Sequence, residues 1–425
     1  MPESVLLANM SAIRPVAMTV DERTRAFAES EAPASAEKSG PALHATAEMR
    51  RLATPWNVAL ARSRLLAGCD LPPGILLDPA CGSATQLAAL CATLGRPGLG
   101  VELSGAVAPL AAVNLCAAGD WAEAAWGTSS RVLWGDGTAA AEILEVHRQS
   151  LGAAPPIALL HIDPARPADA QRHTLDEMEP RLDVLLAAWA PHLATEPALI
   201  LDLSPRLSDG QREEVDAIVA GLWPTAASTW QWMTQGRGRI DRLSLWVGPI
   251  ADENPARLLR LSRDGELETI SGVQATSVIG TMEAEPGVHL TVVDPSLIAS
   301  GLAESWRANA APTGESGWAV IDGRRPVLLS EHPIVAEPTL SAFIRIGGEI
   351  LAMAPAVDLD EVEALTKAAL TAELGSLKLR CSLPPEIQPK LQSALDRSLK
   401  REDAAGPAGF IANIEGIHLI CREDL

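Results

Sequence analysis

Five short apolar runs in the first half of this chain each end in a carboxylate. They close at Asp78 (ILLD), Glu102 (LGVE), Asp136 (VLWGD), Asp163 (LLHID) and Asp202 (LILD). In an open sheet of parallel strands, ligands bind outside the carboxyl ends of the strands, so acids at those ends share one crevice. Glu102, 24 residues past Asp78, is placed to accept hydrogen bonds from two ribose hydroxyls. Asp136, within Gly135-Asp136-Gly137, can accept from an adenine amino group. After Asp78 comes Pro-Ala-Cys-Gly-Ser, in which Gly82 permits a tight turn and a close backbone approach. The free N–H groups of the helix that follows suit an anionic group. Taken singly, each residue has a plainer reading: Asp78 and Asp202 as caps or turn residues, Glu102 as a surface acid, Gly-Asp-Gly as a turn. Their register, with three acids after three successive strands, favours a nucleoside pocket that has no pyrophosphate to cradle.

The elements that must position these acids are legible as alternating strands and helices. Strands at 75–77, 99–103, 131–134, 157–162 and 198–203 alternate with helices near 85–95, 105–118, 139–150, 176–190 and 208–223. Two strands with no helix between them, 228–235 and 242–248, close the series. This predicts an α/β class: a Rossmann-like, seven-stranded, doubly wound sheet with an antiparallel last strand. Helices are expected over 44–68, broken at Thr54-Pro55, with Thr54 as N-cap and Pro55 in the first turn. Ala28–Ala42, small, polar and proline-containing, reads as a linker. Beyond residue 250 the texture becomes α+β, with strand-like pieces such as 277–282 and 289–293 and helices near 296–308, 358–374 and 384–400. The division expected is 1–70 as an N-terminal helical segment and linker, 71–250 as the nucleoside-binding domain and 251–425 as an α+β region.

Composition narrows the function. The 425 residues carry a net charge of −20 and only five Lys. Such a field opposes strong non-specific nucleic-acid binding but leaves room for a local basic groove. No apolar run reaches membrane-spanning length, and the N-terminus lacks the pattern of a signal peptide. A cytoplasmic protein is expected. The six cysteines, Cys69, Cys81, Cys91, Cys116, Cys381 and Cys421, show neither CxxC nor metal spacing and read as buried thiols. No metal is expected.

The stretch LLDPACGSAT resembles motif I of class I S-adenosylmethionine-dependent methyltransferases, in the DPACGSG form found among nucleic-acid enzymes. The resemblance implies S-adenosyl-L-methionine as cofactor. It sets Asp78, Ala80, Gly82 and Ala84 on the acid and the three glycine positions, with Ala84 a departure. GVELS is similar to motif II and implies that Glu102 meets the ribose. GDGT is similar to motif III and implies that Asp136 lies near the adenine. HIDPAR is similar to motif IV and implies that Asp163 to Arg166 stand beside the methyl group, with Asp163 also touching the cofactor. ATPWNVALARSRLLAG, DPAR and VVDPSLIASGLAESW together resemble the methyltransferases with a C-terminal THUMP-like domain, whose expected substrate is RNA, tRNA above all.

Motif IV carries the expectation about chemistry. Amino-methylating enzymes carry an acid, amide or serine, then Pro-Pro and an aromatic. Here the tetrad is Asp163-Pro164-Ala165-Arg166, so the acid and first proline are kept and arginine replaces the aromatic. A guanidinium can stack on a base or fork onto a phosphate. It can also simply pair with Asp169. The chain has no Tyr and three Phe, so a stacking ring must come from Trp134, Trp230 or Trp232, although alternation sets the last two on a packed face. No Cys lies between Cys116 and Cys381, which argues against attack on a pyrimidine C5. Transfer to a base nitrogen is expected, with Asp163 positioning or deprotonating the acceptor and alignment supplying most of the rate. The loop QGRGRIDR (235–242) and residues 376–401, with six Lys/Arg against two acids, are candidate phosphate contacts. Two other readings stay open: a protein or small-molecule methyltransferase, and a non-catalytic protein that keeps the cofactor fold.

Overall fold

The computed structural model describes residues 14–36, 39–164, 174–335 and 337–424. The chain divides into two compact units. The first runs to Trp232 and includes Asp241–Asn254 and Arg263–Leu267; the second comprises Met233–Ile240, Pro255–Ser262 and Glu268–Leu425.

The sheet of the first unit is built from strands β1 (Val16–Ala17), β2 (Ile75–Asp78), β3 (Gly98–Glu102), β4 (Arg131–Trp134), β5 (Ile157–Ile162), β6 (Leu199–Leu203), β7 (Ser228–Thr234) and β8 (Arg242–Val247). Their order across the sheet is β1-β4-β3-β2-β5-β6-β8-β7. Strands β2 to β6 pair in parallel. Strand β8 runs antiparallel to β6, as the helix-free pair at the end of the alternation predicts. Strand β1 adds an antiparallel edge to the seven expected. Every residue of β2 and β6 is buried, which is why these strands are unbroken apolar runs up to their acids. The order reverses between β2 and β5, and the crevice at that switch point lies between Asp78 and Asp163.

Helices pack on both faces. Helix α1 (Glu22–Glu31) is capped by Asp21, whose side chain accepts from Thr24 N at 2.8 Å. Its Ala28, with Ala32, packs on Leu110 and Val113. The expected linker from Ala28 is therefore in part helix, because its buried face is made of alanines that hydropathy does not flag. Helices α2 (Ala47–Leu52) and α3 (Trp56–Leu66) bracket the expected break at Thr54-Pro55. The cap of α3 is Pro55, and Thr54 Oγ1 has no hydrogen-bond partner among the described residues. Helix α4 (Thr85–Leu94) lays Leu87, Leu90 and Cys91 into a core shared with Trp56, Leu66 and Leu76. Helices α5 (Ala108–Trp121), α6 (Ala140–Leu151), α7 (Leu182–Trp189) and α8 (Asp209–Leu222) complete the layers. A capping box closes the start of α8: Gln211 N donates to Ser208 Oγ at 3.3 Å, and Ser208 N donates to Gln211 Oε1 at 2.8 Å.

The second unit holds a seven-stranded sheet. After β9 (Ala256–Leu261) and β10 (Leu267–Gly272) come β11 (His289–Val293), β12 (Ser316–Val320), β13 (Val327–Ser330), β14 (Ile344–Met353), β15 (Ser376–Leu379), β16 (Ala408–Ile414) and β17 (Ile417–Glu423). The order is β12-β13-β11-β14-β17-β16-β15. Helices α10 (Val362–Thr371) and α11 (Gln388–Arg401), which follow α9 (Ala303–Ala310), bury Leu365, Leu391, Leu395 and Leu399 against Leu377 and Ile420. The piece 277–282 is not a strand; it makes one isolated bridge, Ile279 to Trp318. The helix expected over 296–308 is split into Ser296–Ala299 and α9 by the left-handed Gly301. Among the described residues no helix is long and apolar enough to cross a membrane.

Candidate functional site

The turn after β2 is held from several sides. Asp78 Oδ1 accepts from Ala80 N at 3.1 Å. Cys81 N donates to Val101 O on β3 at 2.9 Å, and Ala84 N donates back to Cys81 O at 2.7 Å. The buried amide of Asn114 on α5 donates to Ser83 O at 3.0 Å and to His44 O at 2.8 Å. Within this braced turn Gly82 has φ +51°, and a Cβ built on it meets nothing within 4 Å. The backbone there faces open space, as it must if a ligand is to lie against it. Ala84, on the third glycine position of the resemblance, is buried and left-handed at φ +59°. That conformation costs an L-residue roughly 1–2 kcal/mol. It starts α4 with no side-chain cap on the helix, so the first-turn N–H groups keep their donors.

Glu102 and Asp136 end the two neighbouring strands. Ser104 N donates to Glu102 Oε1 at 2.7 Å. Burial raises the Glu102 carboxyl, and the backbone N–H groups of Ser104 and Gly82 pull the other way; the net direction is up. Gly135 N donates to Glu102 O at 3.0 Å, which sets the Gly-Asp-Gly turn beside it. Asp136 Oδ1 accepts from Thr138 N at 2.9 Å and Thr138 Oγ1 at 2.8 Å. Leu103, next to Glu102, is 57% exposed, a large apolar side chain left open beside three polar groups. Trp134 leans on Gly105 and donates Nε1–H to Leu103 O at 3.0 Å.

A buried ion network lies behind the crevice, and the sequence reading missed it. His161, on β5, is 1% exposed and stands between two acids. Its Nδ1 is 2.8 Å from Asp78 Oδ2, and its Nε2 is 3.1 Å from Asp202 Oδ2. Arg62 of α3 forks onto Asp202, donating from Nη1 to Oδ2 at 2.7 Å and from Nη2 to Oδ1. Arg62 Nη1 also donates to Gln86 Oε1 at 3.2 Å. Burial opposes a charge on His161, but Asp78 and Asp202 outweigh it and raise its pKa to about 10. The ring is an imidazolium at neutral pH and donates from both nitrogens. Burial likewise opposes the Asp202 charge, and Arg62 and His161 overcome it, holding that carboxyl well below the ordinary range. Asp202 is thus no cap; it is the hub of the network. Two carboxylates face two cations, so the group carries no net charge into the core. The signal for it was a histidine amid an apolar strand and an arginine within an apolar helix turn.

Asp163 follows β5 directly. It keeps exposed surface although protein crowds it from behind. That crowding comes first in raising its carboxyl, the Asp202 charge adds to it, and Arg242 and His161 oppose; the result is about 6. Pro164 is buried. Arg166, Ala165 and Asp169 lie outside the described residues. Trp230 and Trp232 are buried with centroids 6.4 Å apart, on the packed face that alternation predicts. The structure therefore brings Asp78, Ala80, Gly82, Glu102 and Asp136 to three adjacent strand ends, with Asp163 across the switch point. The free cysteines include Cys81 and Cys91, whose burial pushes both thiols up. Two recesses, one in each unit, lie away from these acids.

These elements in this order make a Rossmann-like methyltransferase fold. No family model and no curated protein matches the chain. Among solved structures, that of a candidate methyltransferase from Porphyromonas gingivalis W83 is similar over 90% of this chain and 84% of its own, at TM-score 0.56 and 12% identity. That of a candidate class I S-adenosylmethionine-dependent methyltransferase from Listeria monocytogenes covers 49% of this chain and 64% of its own, at TM-score 0.32 and 15% identity. At these identities the first likeness is one of fold, and the second is too distant to add to it.

Proposed function

We propose that the chain is an S-adenosylmethionine-dependent methyltransferase that acts on a base nitrogen of RNA, tRNA being the favoured substrate. The observation that carries the cofactor is the convergence of the open Gly82 backbone, Glu102 and Asp136 at three adjacent strand ends. The residues fit the group: the start of α4, beside the open Gly82 backbone, offers N–H donors to its carboxylate, Glu102 keeps an oxygen for the ribose, and Asp136 accepts from the adenine amine. Asp78, whose oxygens serve His161 and Ala80, retains lone pairs for an ammonium group. When bound, the cofactor supplies an electrophilic methyl group on a sulfonium.

The chain's own residues align the acceptor. Asp163, with its carboxyl near 6, is ionised at neutral pH and can accept a hydrogen bond from the target N–H. It is then placed to take the proton that the new N–CH3 bond displaces. Pro164 fixes the backbone behind it. Arg166 is assigned to the base or its phosphate. The second unit, as a THUMP-like region, is assigned to holding the RNA, and a cytoplasmic location accords with RNA modification. The net charge of −20 favours a second reading, with a protein or small-molecule acceptor.

Methyl transfer from labelled cofactor onto total RNA and total protein, run side by side, tests the substrate. Label in the RNA fraction supports the reading. Label confined to protein or small molecules overturns it.

A further inference from the structure

The second unit sets Arg325 near other arginines. Arg325 precedes β13, and its Nη1 is buried with no hydrogen-bond partner among the described residues. Burial lowers its pKa, and Arg380 and Arg345 lower it further. The buried thiol of Cys381 also acts on its charge. Arg345, on β14, donates Nη1–H to Arg324 O at 3.2 Å and reaches Asp294 Oδ2 at 3.6 Å. Asp294 is itself buried and accepts from Ser296 N at 3.0 Å. Arg345 therefore shares its charge with Asp294, while the buried Nη1 of Arg325 has no such partner among the described residues. Gly238 packs against the same group: a Cβ there would stand 2.7 Å from Arg345 Nη2, and its φ is +75°. Gly238 of the basic stretch around 235–240 thus lies beside Arg345, and Arg380 of the stretch 376–401 acts on Arg325.

An unpaired donor held among like charges is destabilising unless a ligand completes it. In a chain of net charge −20 such a cluster does not arise from a general excess of cations. Guanidinium forks match phosphate oxygens two at a time, so neighbouring forks suit a tetrahedral dianion or a phosphodiester. We propose that Arg325, Arg345 and Arg380 form a phosphate-binding site that holds a phosphodiester of the RNA backbone. The choice of RNA rests on the function proposed above; the phosphate chemistry does not.

The test is binding of a labelled mixed-sequence RNA oligonucleotide over a salt series, to the full chain and to Arg325→Gln, Arg345→Gln, Arg380→Gln and Arg325→Lys. Inorganic pyrophosphate serves as a second probe. Each Gln variant should weaken RNA binding roughly tenfold and lower the salt slope by about 1. Arg325→Lys should fall between wild type and Arg325→Gln. Arg380 is exposed, so its variant reads the site even if Arg325→Gln does not fold. If the wild type methylates RNA while all variants bind it with unchanged affinity and slope, the site is overturned and the function stands. If the wild type labels no RNA, but the Gln variants lose pyrophosphate binding, the function is overturned and the site stands.

Discussion

His161 Nδ1 stands 2.8 Å from Asp78 Oδ2, joining the acid of the first crevice turn to the strand that carries Asp163. The same ring reaches Asp202 at 3.1 Å through its other nitrogen. A charged ring between two carboxylates is rigid in both position and protonation. It fixes the base of the Pro-Ala-Cys-Gly turn from below while Asn114 fixes it from the side.

Replacing His161 by Phe leaves Asp78 buried without its cation and Asp202 with Arg62 alone. Breaking a buried pair in this way costs about 3–5 kcal/mol. The urea midpoint of His161→Phe should fall accordingly, with His161→Gln, which keeps a donor, falling less. An unchanged midpoint in both variants contradicts the network.

Alkaline pH should remove the same stabilisation. The ring titrates near 6.5 when unfolded and near 10 when folded, so between those values the folded chain holds a proton that the unfolded chain has lost. Its contribution is full below 6.5, declines as pH rises and is gone above about 10. Asp202 acts in the opposite sense: its carboxyl is depressed, so its share is present above 3.8 and is lost in acid. The midpoint gap between wild type and His161→Gln should close from pH 6.5 to 10. A gap that stays constant over that range contradicts the assignment of charge.

Much of this site was legible because strand-end residues are read directly from where apolar runs stop. Asp78, Glu102, Asp136 and Asp163 all end such runs, and β2 to β8 follow the predicted alternation. The network was not legible because its members lie far apart in the chain: Arg62, Asp78, His161 and Asp202 meet only through the stacking of α3, β2, β5 and β6. Taken alone, Asp202 reads as a turn residue, since nothing nearby in sequence marks Arg62 as its partner. The second unit was harder still. Strands β13 and β16 are short or glycine-containing, and their pairing with distant neighbours has no local signature.

Asp163 should set the acid limb of the reaction. With its carboxyl near 6, methyl transfer by the wild type should rise through that pH and then level. Asp163→Asn should reduce the rate by about 10²–10⁴-fold and lose the limb. A variant that keeps the wild-type pH profile removes Asp163 from the chemistry.

The cofactor site itself is tested most directly by calorimetry with S-adenosylhomocysteine, which carries the nucleoside and amino-acid parts without the methyl group. Saturable binding to the wild type is expected. Glu102→Ala should lose about 1.5–3 kcal/mol of it, because a charge-assisted bond to the ribose is removed. Absence of binding to the folded wild type, or binding undiminished in Glu102→Ala, contradicts the nucleoside pocket at the ends of β2, β3 and β4.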